Sequence, residues 1–157
     1  MDDVANWWEK DLLVKASPWA SEILPGKLWQ SSMIAHWSDL DNIKPTMVID
    51  LAGLDTTIPS YTHADFAYVY FGMEDGPLPT DMTKFKEVAA LATSDILHGG
   101  KVLTHCAAGI NRSGLMSGQI IYNLGLANGQ QIIDLIRAAR PESLQNADFC
   151  QYLRELV

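Results

Sequence analysis

The 157-residue chain has the length of one domain with a single core, and its 48% hydrophobic and 19% charged residues exclude a disordered or fibrous protein. Its net charge of −8 excludes a strongly basic binder of nucleic acid or anionic lipid. Two cysteines cannot build a disulfide framework, which predicts a reducing compartment. Because the sequence shows no leader pattern and no bilayer-length apolar run, we expect a cytoplasmic protein with no membrane partner.

The N-terminal segment, residues 1–25, is interpreted as a helical extension packed on the domain. Apolar residues between positions 3 and 16 recur near a helical period, which predicts an amphipathic helix. All five tryptophans of the chain lie between positions 7 and 37. Aromatic side chains usually serve cores, which favours packing against the domain. The alternative is that this segment forms a wall or lid of a substrate pocket.

Strand and helix patterns follow a turn signal at Pro25-Gly26. Residues 27–30 are predicted to form the first strand, and residues 36–40 a short helix. Two further strands are predicted at 46–51 and 66–71, because these stretches are rich in β-branched or aromatic residues. The residues from 56 to 64 between them are predicted to be a loop.

A second loop is predicted from residue 72 to residue 79, because two glycines and two prolines cannot form a regular element. Thr80 is expected to cap a helix that begins near Asp81 and continues to about Leu97. Gly99-Gly100 ends that helix and leads to a short buried strand at 101–104.

The loop after this strand has the pattern of an anion-binding nest. Cys106 lies at the strand end, and Arg112 lies in the first turn of a helix predicted through residues 115–124. The residues between them are compact and include Gly109, so several backbone N–H groups converge beside the helix N-terminus. Such a nest binds a tetrahedral dianion, and the guanidinium of Arg112 can donate two hydrogen bonds to the same anion. The positive field at this position also favours the thiolate form of Cys106. The alternative is a buried structural cysteine beside an ordinary loop.

Two more helices are predicted toward the C-terminus. The first has Asn128 and Gln131 in the pattern of a capping box, with Arg140 near its C-terminal end, where cations are favoured. The second is predicted from 147 to 156, with Asn146 as its cap. Cys150 on its apolar face is expected to pack in the core, and the alternative is a redox partner of Cys106.

Residues 105–114, His-Cys-Ala-Ala-Gly-Ile-Asn-Arg-Ser-Gly, match the signature of the cysteine-dependent protein tyrosine phosphatases: Cys, five residues, Arg, then Ser or Thr. In this form the signature resembles the dual-specificity branch, and residues 136–153 resemble the end of its bacterial and phage members. The resemblance covers residues 26–157, which it implies form the catalytic domain. It implies an α/β fold with a central, mostly parallel sheet flanked by helices, and a phosphate loop between strand and helix.

The resemblance also implies roles for the loop residues. Cys106 would attack phosphorus and form a phosphocysteine, while the loop would hold the equatorial oxygens. Ser113 would donate a hydrogen bond to the sulfur, and His105 would orient the loop. The expected phosphate-binding residues are Ala107, Ala108, Gly109, Ile110, Asn111 and Arg112.

Asp75 is interpreted as the general acid that protonates the leaving oxygen. It lies in the predicted loop 72–79, where Glu-Asp-Gly-Pro-Leu-Pro resembles the family's acid loop. The alternative is a solvated turn residue, since turns attract Asp. Glu74 and Asp81 are weaker rivals, and Asp81 is explained by its place in a first helical turn.

We therefore expect a phosphomonoester hydrolase whose substrate is a phosphorylated protein or peptide, with no cofactor and no metal. One alternative is a phosphatase for a non-protein substrate, such as an RNA 5′-phosphate, because related RNA enzymes also have Asn before the loop arginine. The acidic charge balance counts against this alternative, and the absence of lysines from 107 to 111 counts against a phosphoinositide. A phosphopeptide-binding module is a third reading, but that class typically lacks the cysteine or the arginine.

Overall fold

The computed structural model describes residues 19–52 and 65–157, so the helix predicted at 3–16 and the loop predicted at 56–64 lie outside the described residues. The strands are β1 (Ala20–Leu24), β2 (Leu28–Ser31), β3 (Met47–Asp50), β4 (Ala67–Tyr70) and β5 (Val102–His105). A 3₁₀ helix spans Trp37–Asn42, and the α-helices are α1 (Thr83–Leu97), α2 (Arg112–Asn123), α3 (Gln130–Ala139) and α4 (Ala147–Arg154). None of these helices is both long and apolar enough to cross a bilayer.

The strands form one sheet in the order β1-β2-β5-β3-β4. β1 runs antiparallel to β2, and the other neighbours are parallel. The register places Ser31 and Asp50 on either side of His105, and Tyr70 beside Asp50. Four strands therefore end on one line, and this carboxyl edge is where parallel α/β sheets bind ligands. The prediction of a central, mostly parallel sheet flanked by helices is confirmed.

Alternate residues of the central strands enter two different apolar layers, as the two-residue period of a strand requires. Met47 and Ile49 of β3 face the larger layer, which all four α-helices complete. Val48 faces the second layer with Leu40 of the 3₁₀ helix. The aromatic residues of this second layer are Trp19, Trp29, Trp37, Phe66 and Tyr68. Of the tryptophans in the segment 1–25, Trp19 packs on this layer, whereas Trp7 and Trp8 lie outside the described residues, so the packing of the whole segment stays a prediction.

The edge strand β1 was not predicted, and it lies inside the segment 1–25 that the sequence assigned to an N-terminal extension. Its register with β2 shifts between Glu22 and Leu24, which interrupts the alternation that marks a strand in sequence. β1 pairs with β2 across the turn at Pro25-Gly26, and this pairing makes the segment a strand although its own residue pattern is irregular. The sheet therefore begins at residue 20, before the boundary predicted at residue 26.

Two of the three predicted helix caps are wrong. α1 begins at Thr83, beyond Thr80, because the carboxylate of Asp81 accepts the N–H of Thr83 at 2.9 Å. α3 has Gly129 rather than Asn128 as its N-cap, and that residue has no side chain to offer. The cap of α4 is confirmed, since Oδ1 of Asn146 accepts the N–H groups of Asp148 and Phe149.

Candidate active site

The loop from Cys106 to Asn111 connects β5 to α2 at the carboxyl edge of the sheet. Cys106 is buried directly beyond the strand end, and its N–H donates to the carbonyl of Ser31 on the neighbouring strand. On the other side of β5, the carbonyl of His105 accepts the N–H of Leu51 at 2.8 Å. The central position of β5 thus fixes where the loop starts.

The carbonyl groups of this loop are bound by the surrounding scaffold. The carbonyl of Ala107 accepts from Met33, the carbonyl of Ile110 accepts from Leu144, and the carbonyl of Asn111 accepts from Leu115 within α2. In a planar trans peptide the N–H of the next residue points opposite to the carbonyl. Three N–H groups, those of residues 108, 111 and 112, therefore point away from the scaffold and form one side of the loop, as an anion nest requires.

Gly109 sets the curl of the loop. Its φ is +72°, a conformation that favours glycine, and a Cβ here would lie 2.5 Å from backbone atoms of Ser31 and Ser32. Its carbonyl accepts Nε2 of Gln30 at 3.0 Å and Nε of Arg140 at 2.8 Å, both from buried side chains. These two donors hold the middle of the loop from the side opposite its N–H groups.

Arg112, the first residue of α2, is buried and bridges two other parts of the carboxyl edge. Its Nη1 donates to the carbonyl of Ala52 at 2.8 Å and to that of Met73 at 3.1 Å. Those residues follow β3 and β4, so two strand ends set the orientation of the guanidinium. Ser113 comes next, and its Oγ lies 3.3 Å from Sγ of Cys106. A hydroxyl at this distance can donate to a thiolate.

His105 is buried behind the loop beside Asp50 of β3. Its Nε2 lies 3.6 Å from Oδ1 of Asp50, whose other oxygen accepts the hydroxyl of Tyr68. Burial lowers the pKa of His105, although the carboxylate of Asp50 opposes that shift. Burial and the hydrogen bond to Asp50 raise the pKa of Tyr68. His105 is thus a buried scaffold residue behind the loop, which fits the orienting role that the resemblance implies.

Asp75 lies in the irregular segment after β4 and contacts the phosphate loop. Nδ2 of Asn111 donates to its Oδ2 at 3.0 Å, and Nδ2 of Asn146 donates to its Oδ1 at 3.0 Å. The same amide of Asn146 donates to the carbonyl of Gly76 at 2.9 Å. The structure therefore brings Asp75 to the loop, across 36 residues of sequence from Asn111.

The two rival carboxylates have different surroundings. Asp81 accepts the N–H of Thr83 just before α1, and its hydrogen bonds with Thr83 lower its pKa. Glu74 is exposed, and within residues 19–52 and 65–157 no hydrogen bond from it to the phosphate loop is found. Asp75 is the carboxylate of this segment that the structure joins to the loop residue Asn111.

Sequence reasoning missed three residues of this site. Gln30 was assigned only to a strand, and Asn146 only to a helix cap. Arg140 was assigned to a helix end, yet it is buried and donates to Ser21 as well as to Gly109. Burial lowers the pKa of Arg140, and the Glu142 carboxylate and the Cys106 side chain oppose that shift. The only signal for these residues in the sequence was a polar or cationic side chain next to apolar residues that are typical of a buried element.

Cys150 is also buried, in α4, and its Sγ donates to the carbonyl of Leu144 at 3.0 Å. Phe149 and Leu153 on the same helix are fully buried. The expected packing role is therefore confirmed for this cysteine.

No family model matches the chain. Dual specificity protein phosphatase 15 of Rattus norvegicus is 32% identical over 135 residues, which cover 86% of this chain and 56% of that protein. A crystal structure of DUSP15 is 27% identical, with a TM-score of 0.70, and the match covers 87% of this chain and 85% of that one. The human tyrosine phosphatase-like serine/threonine/tyrosine-interacting protein matches in fold, with a TM-score of 0.74 and 24% identity over 87% of this chain and 93% of that one. The chain spans about half the length of the rat relative.

Proposed function

This chain belongs to the dual-specificity-like branch of the cysteine-dependent protein tyrosine phosphatase superfamily, and from that premise we propose that it hydrolyses phosphate monoesters on proteins. The substrate class is a phosphotyrosine, phosphoserine or phosphothreonine side chain. The catalytic domain is the unit of this activity, and Ala20–Leu24 belong to it because they form strand β1 of its sheet. A cytoplasmic location is part of the proposal, since both cysteines are free thiols.

The reaction has two steps. The Cys106 thiolate attacks phosphorus and forms a P–S bond, while the P–O ester bond breaks and the leaving oxygen takes a proton from Asp75. Water then attacks the phosphocysteine, gives a proton to the Asp75 carboxylate, and releases phosphate and the thiolate. Ser113 donates to the departing sulfur, and Arg112 with the loop N–H groups binds the equatorial oxygens in both steps.

One observation supports the proposal: the scaffold binds the loop carbonyl groups, which turns the N–H groups of residues 108, 111 and 112 away from it, and the Ser113 hydroxyl lies 3.3 Å from Sγ of Cys106. A buried structural cysteine would need neither arrangement. The phosphate-binding set is then the backbone of residues 107–112. His105 supports that loop and transfers no proton.

The alternative of an RNA substrate was based on Asn111, and the side chain of this residue donates a hydrogen bond to Asp75. An acid is needed for a tyrosyl or seryl leaving group, whereas an anhydride releases a phosphate that needs no proton. A carboxylate joined to the loop therefore favours an ester substrate over the anhydride of a 5′-triphosphate RNA. A phosphopeptide-binding module is disfavoured because Cys106 and Arg112 are both present.

The test is a substrate panel: a phosphotyrosine peptide, a phosphothreonine peptide, a phosphoinositide and a 5′-triphosphate RNA. We expect hydrolysis of the peptides, and its loss in Cys106→Ser with retained tungstate binding, because a hydroxyl is a far weaker nucleophile than a thiolate. Cys150→Ser is the matched control and should keep its rate, since a hydroxyl can replace its thiol as donor to Leu144. Hydrolysis of the RNA alone, or full activity in Cys106→Ser, would contradict the proposal.

A further inference from the structure

The contact between Asp75 and the phosphate loop involves two asparagines whose orientation is fixed. Oδ1 of Asn111 accepts the backbone N–H groups of Gln145 at 2.7 Å and Asn146 at 2.9 Å. Oδ1 of Asn146 accepts two N–H groups at the start of α4. Each amide oxygen thus faces backbone donors, so each NH₂ group must face the other way, toward Asp75.

The two NH₂ groups bind different oxygens of Asp75, one donor to each oxygen. Asn146 also holds the next residue of the segment through the carbonyl of Gly76. Asp75 itself is exposed, whereas both asparagines are half-buried. The exposed carboxylate of Asp75 is therefore held by two anchored donors, whereas Met73 and Leu78 of the same segment pack on the apolar core.

From these contacts we propose that Asn111 and Asn146 form a latch that positions the general acid, holding the segment from Gly72 to Thr80 against the phosphate loop before substrate arrives. The proposal rests on the proposed function, because it gives Asp75 the role of acid. Each carboxyl oxygen has a second lone pair, so Asp75 can carry a proton on one oxygen and still accept from the amides. Both asparagines act through Asp75 and are positioning residues, not catalytic ones.

A substitution that changes one side-chain group can remove the contact with Asp75 and keep the contacts of the same side chain with the backbone. Asn146→Asp keeps the oxygen that caps α4, and Asp is as good an N-cap as Asn, but it replaces the donor to Asp75 with an oxygen. Gln151→Glu is the matched control, because it adds the same charge on an exposed face of α4.

The kinetic test uses two substrates: a phosphotyrosine peptide, and an aryl phosphate whose leaving group is a weak base. We expect Asn146→Asp to lower kcat on the peptide about tenfold, part of the ~10²–10⁴-fold contribution of a general acid. On the aryl phosphate, which barely needs the proton, the change should stay within about twofold. Equal losses on both substrates would overturn the latch, as would a similar loss in Gln151→Glu.

A double-mutant cycle tests whether the asparagines act through Asp75. In an Asp75→Asn background, Asn146→Asp should cause no further loss on the peptide, because the acid it positions is already gone. A full additional loss there would mean that Asn146 acts elsewhere, and the latch would be wrong although Cys106→Ser still abolishes turnover.

Hydrogen exchange of the amides from Met73 to Thr80 is a readout that needs no activity. Asn146→Asp should speed this exchange about tenfold in the absence of phosphate, and Gln151→Glu should not. If the protein hydrolyses none of the panel substrates, the proposed function fails. The hydrogen-exchange rates still show whether Asn146 holds this segment. For an active enzyme, faster exchange with unchanged kinetics would overturn the positioning role.

Discussion

His105 shows how a single buried residue links the site to the stability of the protein. Burial lowers its pKa below the ordinary value of about 6.5, so the folded state resists a proton that the unfolded state accepts. Below about pH 6.5 the unfolded state therefore binds more protons, and the free energy of unfolding falls as the pH falls. Above that pH both states are neutral and the contribution is constant.

The corresponding prediction compares wild type with His105→Gln by urea unfolding between pH 5 and pH 7.5. The wild-type protein should lose more stability on acidification than the variant does, because Gln does not titrate. The other histidines are common to both proteins and cancel in the comparison. Identical pH slopes would show that His105 gains no proton on unfolding.

At the residue scale, what could be predicted from the sequence depends on how far apart the residues lie in it. His105, Cys106, Arg112 and Ser113 lie within nine positions of one another, so their geometry follows from one strand, one loop and one helix start. The donors to Gly109 come from Gln30 and Arg140, and their approach depends on the completed sheet and helix packing. No local pattern encodes such distances.

At the scale of elements, the phosphate loop depends on one glycine for both its backbone angle and its close approach to β2. Gly109→Ala should therefore lower kcat/KM by about 10²-fold, the size of effect expected when reacting groups are displaced by about 1 Å. Stability should also fall, by more than the ~1–2 kcal/mol that a left-handed residue with a Cβ costs.

Gly125 provides the matched control for this prediction. Its φ is +73°, close to that of Gly109, but nothing lies within 4 Å of the position where a Cβ would be. Gly125→Ala should lower the free energy of unfolding only by the cost of placing a residue with a Cβ at a left-handed φ. It should leave kcat/KM unchanged. Equal effects of the two substitutions on activity would mean that contact with β2 does not shape the loop.

Among the described residues, elements with a strong internal pattern were predicted with the correct type, including β3, β5 and helices α1 to α4. Helix starts were less predictable, because capping depends on which of several polar residues reaches the free N–H groups. At α1 the carboxylate of Asp81 does so in place of Thr80, and at α4 Asn146 does so as expected. The missed strand β1 exists through its pairing with β2.

At the scale of the whole molecule, the larger apolar layer holds the helix that carries Arg112 and Ser113 against the sheet. Ile120 of α2 is fully buried in this layer, whereas Leu97 at the end of α1 is 71% exposed. Ile120→Ala should lower the free energy of unfolding by about 2–5 kcal/mol, and Leu97→Ala should change it by less than about 0.5 kcal/mol. Urea unfolding measures both, and similar losses would contradict this assignment of the core.

The central claim is that Cys106 carries the phosphoryl group during turnover, and chemical trapping of that intermediate tests it most directly. The protein would be mixed with a phosphotyrosine peptide, quenched with acid within the first turnover, digested and analysed by mass spectrometry. We expect one phosphoryl group on the peptide that contains Cys106, none on the peptide that contains Cys150, and none in Cys106→Ser. Turnover of the substrate with no phosphoryl group on Cys106, or with the group on another residue, would contradict the account.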